Sequence, residues 1–375
     1  MRCAIRFVLL CLLGGVLGAC GNDAGDAGSG AGGAEEAVLN VYNWSDYIGP
    51  DTLAAFERET GIKVNYDVFD ANEVLEAKLL AGNTGYDIVV PSANFVARQI
   101  AAGLFQPLDP LKLPNYGNLD ADILRALRTH DPQNAYVVPY MWGTTGIGYN
   151  VAMVRERLGD IALDTWQLLF EPDLTARLAD CGVTLVDAPS EVFPAVLAYL
   201  GLPPARHAAG DIGAAEGVLA EVRPHLRYFH SSQYINDLAS GEICVAFGWN
   251  GDILIARDRA REAGNGQVID YVVPREGAPM WFDVLAIPKD APHPDNAHRF
   301  IDFLLRPEVI AAITNAVNYA NANAQATPLV APSIAADPAI YPDAAMRRRL
   351  FPAAPTTPEH DRLVTRAWTR IKSGR

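Results

Sequence analysis

Again and again in this chain a short β-branched run stops on small, polar or aromatic residues, and a helical pattern begins. VLNVY leads into Trp44-Ser45-Asp46-Tyr47, and a helical pattern occupies 50–60. IKVNYDVF (62–69) precedes NEVLEAKLLAG (72–82), which a glycine stops. YDIVVP (86–91) precedes NFVARQIAAG (94–103), VTLVDAP (183–189) precedes EVFPAVLAYLG, and GEICVAFGW (241–249) precedes GDILIARDRAREAG (251–264). VIDYVVP (268–274) and WFDVLAIP (281–288) add two strands, followed by helices at 294–305 and 307–317. Such alternation implies an α/β fold with largely parallel sheets. Open sheets of this kind hold ligands beyond the C-terminal ends of their strands.

The chain has 375 residues, enough for one large domain or two. Its formal net charge of −14 and pI near 4.9 speak against a nucleic-acid binder, which needs a basic footprint, and suit a cationic partner. A short positive region with Arg2 and Arg6 precedes an apolar run (7–17) of signal-peptide length, too short to span a bilayer. Leu17-Gly18-Ala19-Cys20 resembles a bacterial lipoprotein cleavage box, so 1–19 is expected to be a signal peptide and Cys20 to carry lipid. The alternative is an ordinary signal peptide with an accidental cysteine. Residues 20–37, rich in Gly, Ala, Ser and Asp, read as a flexible tether for a folded part starting near Val38. Cys181 and Cys244 then remain. In an oxidising compartment they are either a disulfide or two buried thiols, and their spacing fits no zinc or redox motif.

No phosphate loop, GxGxxG, HExxH or GxSxG is present, and the seven histidines show no ligand-like spacing. The sequence asks for no metal and no cofactor. What recurs instead is an aromatic ring beside an acid at a strand end: Trp44/Asp46, Trp249/Asp252 and Trp281-Phe282/Asp283. Helix capping accounts for Ser92 and Ser190, but bulky rings have no capping role. A carboxylate accepts charge-assisted hydrogen bonds from an ammonium, each contributing about 1.5–3 kcal/mol. A ring face attracts the same cation by about 0.5–2 kcal/mol and covers methylenes at about 0.8 kcal/mol per CH₂. Rings with carboxylates at both ends are the physical complement of an aliphatic diamine.

At this point the sequence resembles the periplasmic polyamine-binding proteins of ABC importers, closest to their putrescine-binding branch. The resemblance is carried by VYNWSDYIGPDTLAAFERETGIKVNYDVFD, GYDIVVPSANF, PYMWGTTGIGYN, RYFHSSQYINDLASGEICVAFGWNGD, FDVLAIP, NYANANAQATPLV and TRAWTRIKSG, from about residue 38 to the end. It implies a two-lobed periplasmic-binding-protein fold (type II), with discontinuous lobes joined by crossing hinge strands. One lobe is expected to hold 38–142 and 254–317, the other 143–253 and 318–375. The function implied is capture of putrescine, or spermidine, in the cleft and delivery to an ABC permease in the inner membrane. The protein is expected to be a monomeric, non-enzymatic, periplasmic lipoprotein.

Carried over by motif, the ligand contacts are Trp44, Ser45, Asp46, Tyr47, Ser92, Glu191, Ser231, Trp249, Asp252, Trp281, Asp283 and Tyr319. Asp252 and Asp283 hold ammonium groups directly, while Asp46 and Glu191 add direct or water-mediated contacts. The resemblance also implies a Cys181–Cys244 disulfide. On the residues alone, Trp44 and Trp249 are equally core rings, Tyr47 a packing residue and Glu191 a helix-start acid favoured by the dipole. Phe282 alternates with its neighbours and is expected on the opposite, core-facing side. The lipobox and Trp281 depart from the putrescine branch, and Trp281 points towards spermidine-accepting relatives. The rival readings are a binder of another cationic or zwitterionic solute, a sensor component, and a hydrolase using paired carboxylates among Asp46, Glu191, Asp252 and Asp283.

Overall fold

The computed structural model describes residues 35–205 and 208–374. The expected leader, Cys20 and most of the tether lie outside them. The tether's last residues are held: the Glu35 carboxylate accepts from the backbone N–H groups of Asp295 and Asn296. That is a helix start, where orphan N–H groups favour an acid.

Eleven strands form one continuous sheet. They are β1 (Val38–Trp44), β2 (Lys63–Phe69), β3 (Ile88–Val89), β4 (Val137–Asn150), β5 (Val183–Leu185), β6 (Leu226–Phe229), β7 (Val245–Trp249), β8 (Ile269–Val272), β9 (Ala278–Ala286), β10 (Ala320–Asn321) and β11 (Leu350–Pro352). The order is β2-β1-β3-β9-β4-β7-β5-β6, with β8 and β10 on β4 and β11 on β9. β1 pairs parallel with β2 and β3, and β5 pairs parallel with β6 and β7. The middle differs from the parallel expectation, because β4 runs antiparallel to β7, β8, β9 and β10.

β4 joins two halves. Its first part, Val137–Thr144, pairs with β9, and Thr145–Tyr149 pairs with β7. Every β4 residue except Trp142 is buried. The short β10 belongs to this junction too, pairing with Met141 and Trp142. Tyr319 thus leads into the strand that joins this junction.

Each half has its own aromatic core. Phe56 of the helix Thr52–Thr60 meets Phe300 and Phe303 of the helix Pro294–Leu304, with centroids 4.9 and 5.5 Å away. In the other half Trp166 stacks on Phe247 at 5.3 Å. Burial of each such ring contributes about 1.5–3 kcal/mol. The helix Asn250–Ala263 runs unbroken through 253/254, where the sequence reading places a lobe boundary, and packs on β8 and the helix Gln233–Ser240. The last helix, Pro358–Ser373, sits on the β5–β7 half. Its Trp368 contacts Phe193 and Phe229 and donates to Asp187 at 2.7 Å.

Cys181 and Cys244 form a disulfide with Cα atoms 5.5 Å apart, closing a sequence separation of 63. It ties the turn before β5 to the start of β7. Replacing both cysteines by serine is expected to lower unfolding stability by about 2–4 kcal/mol. Guanidinium unfolding of the oxidised protein and the variant measures this.

Candidate functional site

The parallel pairing of β1 and β2 brings Trp44 beside Phe69, because those residues are register partners at the C-terminal ends of the two strands. From the other half, β7 ends on Trp249, and its ring meets Trp44 edge-on at 5.5 Å. Around this meeting point lies a cavity. Trp44, Ser45, Tyr47, Ser92, Glu191, Ser231, Trp249, Asp252, Trp281, Asp283 and Tyr319 all line it.

Asp46 does not. Its backbone adopts a left-handed conformation (φ 52°), its side chain is exposed, and its carboxylate takes Arg259 at 2.7 Å. Arg259 is held in turn by Asn236 at 2.9 Å. The acid expected to meet ligand is therefore engaged in an ion pair beyond the rings. Phe69, Asp70 and Asn72 line the cavity and were not singled out from sequence. Phe69-Asp70 is one more aromatic–acid pair at a strand end, so the same signal extends to it. Asn72 gives no such signal.

Asp283 lies opposite Ser92 in an isolated antiparallel bridge. Ser92 occupies the N-cap position of the helix Ala93–Ala101, yet its hydroxyl makes no cap bond and donates to Asp283 Oδ1 at 2.5 Å. Asn72 Nδ2 donates to Ser92 Oγ at 2.9 Å and fixes its direction. The capping expectation fails for Ser190 as well, since Ala188 is the N-cap and Ser190 lies inside the helix Pro189–Tyr199. Asp252 accepts from Tyr319 Oη at 2.6 Å and Tyr234 Oη at 2.7 Å. Glu191 accepts from Thr145 Oγ1 at 2.6 Å, and Thr145 accepts from Trp281 Nε1 at 3.2 Å. Ser231 accepts the Asp187 N–H at 3.0 Å.

Close backbone approach seats two of the rings. A Cβ on Gly251 would lie 2.4 Å from the Tyr319 ring, and one on Gly143 would lie 2.8 Å from Trp281. Gly143 is the register partner of Trp281 across β4 and β9. Trp281 also meets Tyr319 at 5.5 Å, and Tyr319 meets Tyr47 at 5.0 Å. Phe282 points away from the cavity as its alternation requires, but it is half-buried against Trp142 rather than in the deep core.

Burial dominates the electrostatics. It pushes Asp283 up to about 8, despite the Ser92 hydrogen bond, with Glu191 adding to the rise. It pushes Asp252 to about 7 against the two tyrosine hydroxyls, and Glu191 to about 7 against Thr145. The buried Tyr47 hydroxyl lies near Asp283 but not in hydrogen-bonding geometry; burial and then that acid hold its pKa well above the phenol range. Burial therefore favours the protonated acids, and a cation placed beside them would be favoured for the same reason.

The matching family model, described as bacterial extracellular solute-binding protein, covers residues 51–342. Over 344 residues the chain is 55% identical to the putrescine-binding periplasmic protein PotF of Escherichia coli strain K12, covering 91% of this chain and 93% of that one. It is 51% identical to the putrescine-binding periplasmic protein SpuD of Pseudomonas aeruginosa, with 91% and 94% covered. Among solved structures, the TpPotD lipoprotein of Treponema pallidum superposes with a TM-score of 0.75 at 27% identity, covering 90% of this chain and 99% of that one.

The raised carboxyls make a prediction. Their folded pKa values of about 7 to 8 exceed the ordinary values near 4 that an unfolded chain restores, so the folded state binds more protons between those limits. The stability they contribute is full below about pH 4 and is lost as pH rises towards 8. The ligand-free protein should lose melting temperature over that range from these groups, and Asp283→Asn should flatten the profile. A melting series in Asp283→Asn that matches the wild type would contradict this. With its strand ends, two-lobed fold and cavity so placed, the chain belongs to the bacterial extracellular solute-binding proteins, alongside the periplasmic polyamine-binding proteins that its sequence resembles.

Proposed function

We propose that this protein captures an aliphatic polyamine, putrescine or spermidine, between its two lobes and delivers it to an ABC importer. One observation carries the reading: Asp252, Asp283 and Glu191 are buried together in a cavity walled by Trp44, Trp249, Trp281 and Tyr319. Asp252 and Asp283 serve as acceptors for ammonium groups, and the rings cover the methylenes between them. Relatives named for putrescine binding, at 55% and 51% identity over nine-tenths of the chain, support it. No reaction is required of the site. Export to the periplasm, a lipid on Cys20, a permease partner and a monomeric state complete the proposal.

The lobes follow the sheet. One takes 38–144 and β9 with the two helices after it. The other takes 145–273, including the whole helix Asn250–Ala263, and the last helix. Ionised carboxylates in a shut, water-poor cleft repel one another and lack hydration. A dication neutralises them and touches both lobes, so it favours the closed form by its differential affinity.

Titration calorimetry tests this. Putrescine or spermidine should bind one-to-one, and Asp283→Asn and Asp252→Asn should each weaken binding by about tenfold or more, as loss of one charge-assisted bond requires. Full affinity in both variants would remove these acids from the site. Trp281→Phe should shift preference towards the shorter ligand. An unchanged putrescine/spermidine ratio would contradict that role.

A further inference from the structure

Trp249 is the N-cap of the helix Asn250–Ala263, and Asp252 lies in that helix's first turn. Each Asp252 carboxylate oxygen accepts from a phenol: Oδ1 from Tyr319 at 2.6 Å, Oδ2 from Tyr234 at 2.7 Å. Both phenol oxygens also accept a backbone N–H. Tyr319 takes that of Asp252 at 3.1 Å, and Tyr234 takes that of Trp249 at 3.2 Å. One oxygen, Tyr234 Oη, is thus bonded both to the acid and to the backbone that carries a wall ring. Tyr319 lines the cavity, whereas Tyr234 does not and is wholly buried behind it.

Tyr234 reaches this place from a separate element, the helix Gln233–Ser240, whose buried face is Tyr234, Ile235, Leu238 and Ala239. β7 admits the ring at Gly248, where a Cβ would lie 2.6 Å from it. Packing therefore fixes the hydroxyl before a ligand arrives, and an acceptor oriented in advance is spared that ordering cost on binding. A donor to the ionised carboxylate also favours ionisation. The other titratable and charged groups facing Asp252 are Tyr319, Asp46 and Arg259, with Tyr47 beyond them, and Tyr271 of β8 faces Tyr234. Asp46 and Arg259 are paired with each other and oppose each other's effect on Asp252.

We propose that Tyr234 is a positioning residue for ligand binding: without touching the ligand, it fixes the Asp252 carboxylate relative to the Trp249 ring, so that one ammonium meets both. This rests on the polyamine reading and adds to it a residue outside the cavity. The test is calorimetric titration of the wild type and Tyr234→Phe with putrescine, at pH 8, in two buffers of different ionisation heat. Tyr234→Phe should bind about tenfold more weakly, as loss of one hydrogen bond to a charged group requires. It should also release more protons per ligand bound. Wild-type Asp252, with a pKa of about 7, is mostly ionised at pH 8, and the variant holds its proton to higher pH. A cleft that had merely loosened and taken in water would release fewer. Should Tyr234→Phe fail to fold, Gly248→Ala, whose methyl displaces the Tyr234 ring, is read the same way. Unchanged affinity, or weaker binding with proton release unchanged or reduced, would overturn the inference and leave the polyamine reading standing. No binding of putrescine to the wild type would overturn both.

Discussion

Taking a carboxylate out of water without a cation is costly, and this cleft does so at three places. Asp252, Asp283 and Glu191 are each nearly inaccessible to solvent. Their hydrogen bonds come from neutral hydroxyls: Tyr234 and Tyr319, Ser92, and Thr145. Such donors orient a carboxylate but bring no net charge, so burial still wins and all three pKa values rise. On the proposed reading, the charge these acids can carry only beside a cation is what would make the cleft selective. A ligand with fewer cationic groups leaves part of it unmet, and an anion makes it worse.

The fold serves this arrangement by bringing strand ends from two halves to one place. β4 is the device. It belongs to both halves and lies buried in the middle of the sheet. Its glycines let rings approach the backbone; Gly143 lies under Trp281, whose indole reaches Thr145 on the same strand. One strand thereby sets the position of a wall ring and of the hydroxyl that holds Glu191. The Asp46–Arg259 pair joins the β1 end to the helix Asn250–Ala263 outside the rings, so the halves also touch where no ligand need reach.

Much of the outer architecture was legible because each outer strand is short, β-branched and followed by a helix with a clear stop. β1 and β7 and the aromatic–acid pairs at their ends follow from that pattern, whereas in β9 Trp281 and Asp283 lie mid-strand rather than at the end the sequence suggested. β4 shows in the sequence only through the family resemblance. Its run PYMWGTTGIGYN is buried on both faces, so it has no apolar–polar alternation to announce a strand, and its glycines read as loop. The antiparallel centre was hidden for the same reason. The place of Asp46 outside the cavity lining was not legible, because a strand-end acid gives no sign of its own φ or of an arginine more than two hundred residues away. Ser92 carried two readings, helix cap and ligand contact, because sequence shows position but not the competing Asp283, which arrives from β9.

The most direct test of the account compares two ligands of one chain length. Calorimetric titration of the ligand-free protein with putrescine and with n-butylamine measures whether the cleft reads both charges or merely the aliphatic chain. The account predicts one-to-one binding of putrescine with proton release near neutral pH, as the raised carboxyls ionise. Butylamine should bind roughly 100-fold more weakly, since it forfeits one buried ammonium–carboxylate contact. Equal affinities for the two amines, or no heat from either, would contradict it.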